Sequence, residues 1–139
     1  MQRRGYLAGM AAGGAGLLAG CSAVTGLLET EDYDIGMTRM DFEPETYEVA
    51  VGETVVWNNT SEARHTVTAY EGTLPEGAAY WATGGYDSEA AARDAWEDGA
   101  GIIETRETFE HTFEVPGTVE YVCLPHEVGG MVGTIVVED

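Results

Sequence analysis

The sequence predicts an all-β domain, an antiparallel Greek-key sandwich with one short helical insertion, on three observations. Short runs of alternating apolar and polar residues recur from residue 46 to residue 137, with the two-residue period of half-buried strands. Turn formers punctuate them, at Gly52-Glu53 and at Pro116-Gly117. One segment, residues 71–101, breaks the pattern with an alanine-rich run bounded by helix-capping residues.

Taken in order, residues 46–51 set Tyr47, Val49 and Val51 on one face, Gly52-Glu53 turns the chain, and residues 54–58 continue as a second strand. His65-Thr66-Val67-Thr68-Ala69 begins another. In the insertion, Asp87 and Ser88 precede the alanine-rich body and Gly99 follows it, so a helix is expected over 87–98, with Glu89 and Arg93 four residues apart and paired on its exposed side. Tyr80, Trp81, Tyr86 and Trp96 leave two readings open. They either pack this flap onto the sheet or form a partner surface, and the buried area that rings supply favours packing. Phe109, His111, Phe113 and Val115 then alternate against Thr108, Glu110, Thr112 and Glu114. After Pro116-Gly117, Val119, Tyr121 and Cys123 share the inward face, and Ile135 with Val137 closes the sheet. His111 lies between two phenylalanines and reads as an interior histidine. The alternative, a further metal donor, needs companions that one isolated imidazole lacks. There is no internal repeat.

The chemistry concentrates near the C-terminus. Cys123-Leu124-Pro125-His126, with Met131 five residues on, places a thiolate, an imidazole and a thioether on one tight loop. These are the soft and borderline donors that copper selects, the thioether as a long, weak axial ligand. Gly129 and Gly130 let the loop fold back, and Pro125 stiffens the stretch between ligands. The fourth ligand must come from elsewhere. His65, between two strand-like runs, is the histidine that sheet pairing would bring to the loop.

On Val55-Val56-Trp57-Asn58, His65-Thr66-Val67, Phe113 with Pro116-Gly117, and Tyr121-Val122-Cys123-Leu124-Pro125-His126 with Met131, residues 35–138 resemble the small blue copper proteins, or cupredoxins, of plastocyanin type. Within them the likeness is strongest to the halocyanin branch, membrane-anchored in salt-loving archaea. The resemblance implies an electron carrier and not an enzyme. It implies one copper ion, cycling between Cu(I) and Cu(II), held by His65, Cys123 and His126 in a plane with Met131 axial. It further implies that His65 is the deeper ligand and that His126 lies near the surface. Leu124, Pro125 and Val128 would form an apolar rim, and the partners would be redox proteins of a membrane electron-transport chain. Two positions depart from the family: Val122 stands where a tyrosine precedes the cysteine, and Thr66 where an asparagine follows the first histidine. The first removes the ring through which an electron path would run; the second changes the hydrogen bonding behind the site. A competing function is an extracellular copper-binding or trafficking protein without an electron-carrier role, which calls for more open, exchangeable donors. Catalytic copper finds too few ligands. After His65 and His126 only His111 remains for a second histidine-rich site, and a paired-copper site needs a second cysteine in the loop.

The N-terminus predicts an address. Arg3-Arg4-Gly5-Tyr6-Leu7 is a twin-arginine export pattern. Residues 7–20 are small and apolar but fall short of the ~20 residues a bilayer span requires. They end in Leu18-Ala19-Gly20-Cys21, which resembles a lipoprotein processing box. The expected organisation is a twin-arginine lipoprotein signal peptide over 1–20, an acidic tether over 21–34 with lipidated Cys21, and a plastocyanin-like copper-binding domain over 35–139. This places the protein on the extracellular side of the cell membrane, lipid-anchored. A Cys21 to Cys123 disulfide is the other use of two cysteines in an exported chain, and it competes with a separate role for each sulfur.

The chain holds 25 acidic residues against six arginines and no lysine, and all the acids follow Cys21 while Arg3 and Arg4 precede it. The mature charge is therefore 4 − 25 = −21. Nucleic-acid binding is excluded, since neutralising phosphates requires basic residues. An acidic, lysine-free surface together with the resemblance points to a halophile. There, salt near 1 M shortens electrostatic range to about 3 Å and charge serves solvation more than steering.

Overall fold

The computed structural model describes residues 33–139. The expected signal peptide, Cys21 and all but the end of the tether lie outside the described residues. The compact unit starts at Asp34, one residue before the expected boundary. Asp34 belongs to it through a backbone bond to Val56 (2.8 Å) and a carboxylate that accepts from Val56 N–H (2.9 Å) and the Tyr47 hydroxyl (3.1 Å).

Among the described residues, eight strands form a two-layer sandwich: β1 (Ile35–Met37), β2 (Phe42–Glu43), β3 (Thr46–Ala50), β4 (Thr54–Asn59), β5 (Thr68–Ala69), β6 (Thr108–Thr112), β7 (Gly117–Val122) and β8 (Val132–Glu138). One sheet has the order β2-β1-β4-β6 and the other β3-β8-β7-β5. The strands read from alternation are found; β1 is not among them because all three of its residues are buried and alternate with nothing. Pairing departs from the purely antiparallel expectation at two places, where β1 runs parallel to β4 and β3 parallel to β8. Both join segments remote in sequence, so no hairpin turn dictates their direction. Val51, expected inward, lies in the turn after β3 and is exposed.

Alternation along β4, β7 and β8 sends Val55, Trp57, Val119, Tyr121, Ile135 and Val137 into the core. Trp57 is its centre, with ring centroids of Tyr121, Phe109 and Trp81 at 5.4, 5.5 and 5.6 Å. Gly133 of β8 is required there: a Cβ would meet the Tyr121 ring at 2.4 Å.

The insertion packs, as ring area favours. Trp81 joins the core, and the Tyr80 hydroxyl donates to the Ala69 carbonyl at 2.7 Å. Its helix, α1 (Glu89–Glu97), begins at Ser88, whose hydroxyl accepts from Ala91 N–H at 3.1 Å, and it packs against β5. The flap also explains why the expected strand 65–69 shortens to β5. His65 bridges to Ile103 in place of the sheet, while Thr68 keeps Val122 of β7 as its ladder partner and bridges to Ala82 on its other side. His111, expected as an interior histidine, is half-buried and faces the ring cluster: it stacks on Trp81 (5.1 Å, 20°), meets Phe113 edge-on (4.8 Å), and burial lowers its pKa.

Candidate metal centre

The three elements that carry the expected ligands meet at one end of the sandwich. His65 is fixed by two backbone bonds with Ile103, at 3.2 and 2.7 Å. Cys123 ends the run begun by β7, and a 3-10 turn, Leu124–Gly129, carries His126. Gly130, at φ +87°, turns the chain back so that Met131 stands immediately before β8. Short backbone bonds close the loop: His126 N–H to Cys123 O (3.1 Å), Met131 N–H to His126 O (3.3 Å) and Cys123 N–H to Met131 O (3.0 Å).

The Cys123 sulfur lies 3.4 Å from His65 Nδ1 and 3.3 Å from His126 Nδ1. All three ligand atoms lie within 4.8 Å of one another, and His111 is outside this cluster among the described residues. Donors bound at about 2.0–2.3 Å in a trigonal plane stand roughly 3.5–3.8 Å apart, so the spacing fits one ion with small adjustment. His65 and Cys123 are fully buried, Met131 is 1 % exposed within the same core cluster as Cys123, and His126 is half-buried. That is the expected order of depth.

The protonation pattern follows from neighbours. The Ser61 hydroxyl donates to Asn59 Oδ1 (2.8 Å) and faces His65 Nε2 at 3.1 Å, so it accepts there and Nε2 carries the proton. The lone pair is thereby placed on Nδ1, toward the sulfur. Asn59 is itself held by the carbonyls of Ala63 (2.7 Å) and Ile103 (3.0 Å). Burial, with the nearby His126 second, lowers the His65 pKa to about 4, leaving the ring neutral at neutral pH. Burial raises the Cys123 thiol to about 11, against backbone hydrogen bonds from Thr66 and His126 that lower it. The metal-free thiol is therefore protonated and a metal must displace that proton.

Thr66, one of the two departures, takes a definite role. Its hydroxyl accepts from Leu124 N–H at 2.9 Å and ties the His65 segment to the ligand loop. Val122, the other, is fully buried and paired with Thr68 of β5, the strand that α1 packs against. Of the expected apolar rim, Val128 is fully exposed and Pro125 half-buried, but Leu124 is only 5 % exposed. Met40 joins the rim, its terminal methyl filling the space where a Gly129 Cβ would stand. Asn59, Ser61 and Met40 carry no signal in the sequence, since their roles arise from contacts across the fold.

Residues 30–138 match the family model for copper binding proteins of the plastocyanin/azurin family. Plastocyanin of Scenedesmus fuscus is 32% identical over 97 residues, covering 70% of this chain and 86% of that protein. Chloroplastic plastocyanin of Tetradesmus obliquus is 26% identical over 138 residues, 99% of this chain and 83% of that one. Among solved structures, an oxidised mutant of amicyanin superposes with a TM-score of 0.55 at 26% identity, over 76% of this chain and 81% of its own. A purple cupredoxin from Nitrosopumilus maritimus, 21% identical with a TM-score of 0.54 over 77% of this chain and all of its own, shares the fold.

Proposed function

The chain belongs to the plastocyanin/azurin family of copper binding proteins, and from that premise we propose that it is a one-electron carrier anchored on the outer face of the cell membrane, serving redox proteins of an electron-transport chain. The observation that carries the copper reading is the cluster of His65 Nδ1, Cys123 Sγ and His126 Nδ1 within 4.8 Å. Bound there, copper supplies the redox step by alternating between Cu(I) and Cu(II), a soft and a borderline ion that this mixed donor set suits in turn. The residues supply the rest. Burial of His65, Cys123 and Met131 keeps water from the donors, and their bonds to Ser61, Ile103 and the loop backbone keep them in place whatever the metal's charge. His126, half-buried beside exposed Val128, gives the edge where a partner comes near. A trafficking protein needs donors that open readily, and two of these three are fully buried. Copper titration should therefore produce an intense band toward the red end of the visible spectrum, saturating at one equivalent, and a redox titration should bleach it reversibly over one electron. Absence of the band, or bleaching that expels the metal, would overturn the reading.

The anchoring rests on Arg3-Arg4 and on Leu18-Ala19-Gly20-Cys21. One lipid chain binds membranes only reversibly, so stable anchoring calls for more than one on Cys21. Membrane-fractionated protein should begin at a lipid-modified Cys21 by mass spectrometry, and Cys21→Ser should leave it soluble or unprocessed. An unmodified Cys21 in the membrane fraction would count against the anchor. The lack of lysine and the −21 mature charge support the halocyanin-like, high-salt setting.

A further inference from the structure

Helix α1 touches the ligand loop through one guanidinium. Arg93 Nη1 and Nη2 donate to the two carboxylate oxygens of Glu127 at 2.9 and 3.0 Å, while its Nε donates to Glu89 at 2.9 Å. The Tyr70 hydroxyl donates to Glu127 Oε2 at 2.9 Å, and Tyr70 is itself fixed to the sheet by a backbone bond to Glu120 at 2.8 Å. Glu89 is steadied in turn, exchanging backbone-to-carboxylate bonds with Glu71 at 2.9 and 3.0 Å. The sequence predicts the Glu89 to Arg93 pair but not its extension to the loop.

Glu127 adjoins His126, the one ligand of the cluster that is not fully buried. At the loop's other end Leu124 is tied to Thr66, whereas residues 128–130, between Glu127 and Met131, are exposed. Surface ion pairs usually contribute little, except where the geometry is bidentate and several groups form a network, and both conditions hold here. A fork fixes direction as well as distance, which a point charge does not.

We propose that Arg93 and Tyr70 are positioning residues that act through Glu127 to hold His126 at its place beside Cys123, with or without metal. The helical insertion is then a clamp on the ligand loop, built from outside the sandwich. The consequence for the copper reading, on which the redox part of the test rests, is a smaller rearrangement of His126 when the oxidation state changes.

The test uses the full chain with Arg93→Lys and Tyr70→Phe, which conserve charge, and Arg93→Ala. In metal-free protein, 15N relaxation should show residues 124–130 becoming mobile in each variant while the sheets stay rigid. In copper-loaded protein, the electron self-exchange rate should fall by at least roughly twofold in Arg93→Lys, the lower edge of coupling within one hydrogen-bond network. The Arg93→Lys, Tyr70→Phe double variant should lose less than the two single losses combined. An unchanged loop in metal-free Arg93→Lys and Tyr70→Phe overturns the clamp, even if Arg93→Ala fails to fold. A wild-type protein without the red-end band would sink the copper reading instead, and leaves the relaxation experiment able to decide the clamp.

Discussion

Cys123→Ser is expected to abolish the thiolate-to-copper band while leaving the sandwich folded. A serine hydroxyl stays protonated in neutral solution and is a poor soft donor, so the band has no origin without the sulfur. The fold should survive because the new hydroxyl is buried among ready partners, His65 Nδ1 and His126 Nδ1, which lie 3.4 and 3.3 Å from the present sulfur. Circular dichroism of the metal-free variant checks this. The pH dependence separates loss of the ligand from general damage. With the metal-free thiol at about 11 and the bound form deprotonated, binding releases a proton at any pH below that value. Wild-type affinity should then rise about tenfold per pH unit through neutrality. His65, at about 4, adds to that slope only below pH 4. Residual copper binding by the serine variant should lose this dependence, as seen by titration against a competing chelator. A variant that stays blue would remove Cys123 from the site.

The ligand set was legible in the sequence because four donors lie within reach of two local signals, a nine-residue loop segment from Cys123 to Met131 and one histidine at a strand edge. Their chemistry restricts the metal before any fold is known. The strands that showed were those with one wet face, β3, β4, β6, β7 and β8, since alternation records exposure and not strand character as such. β1, buried throughout, and the two parallel pairings left no local trace. The insertion was legible as a helix through Ser88 and the alanines, but its reach to the metal loop was not. Arg93 and Glu127 are 34 residues apart and meet only because α1 packs against β5, beside the loop that follows β7. Ser61 and Asn59 behind His65 are the same kind of case: ordinary polar residues whose role is set by where the chain returns.

The domain should gain stability as salt rises, with melting temperatures climbing from dilute buffer to molar potassium chloride. Residues 33–139 hold four arginines against 22 acids, the 25 of the chain less Glu29, Glu31 and Asp32. Salt weakens attraction and repulsion alike, with opposite effects on stability. Of attraction, the described residues offer Arg64 to Glu104, with side chains 70% and 52% exposed, and the pairs of Arg93 with Glu89 and Glu127. Pairs as exposed as the first contribute about 0–1 kcal/mol, so their screening costs little. Repulsion is spread over the carboxylates, which outnumber the arginines 22 to four in residues 33–139, and at this imbalance it outweighs the attraction. Screening length falls from about 10 Å at 0.1 M to about 3 Å at 1 M, so the carboxylates cease to sense neighbours beyond direct contact. Each kcal/mol of relief raises the melting temperature of a domain this size by roughly 4–8 °C. The same rise in sodium chloride and potassium chloride would mark screening, whereas a dependence on one cation would mark specific binding. A flat or falling curve would show that the acidic surface carries no net repulsion in the folded state and would remove the physical ground for the high-salt setting.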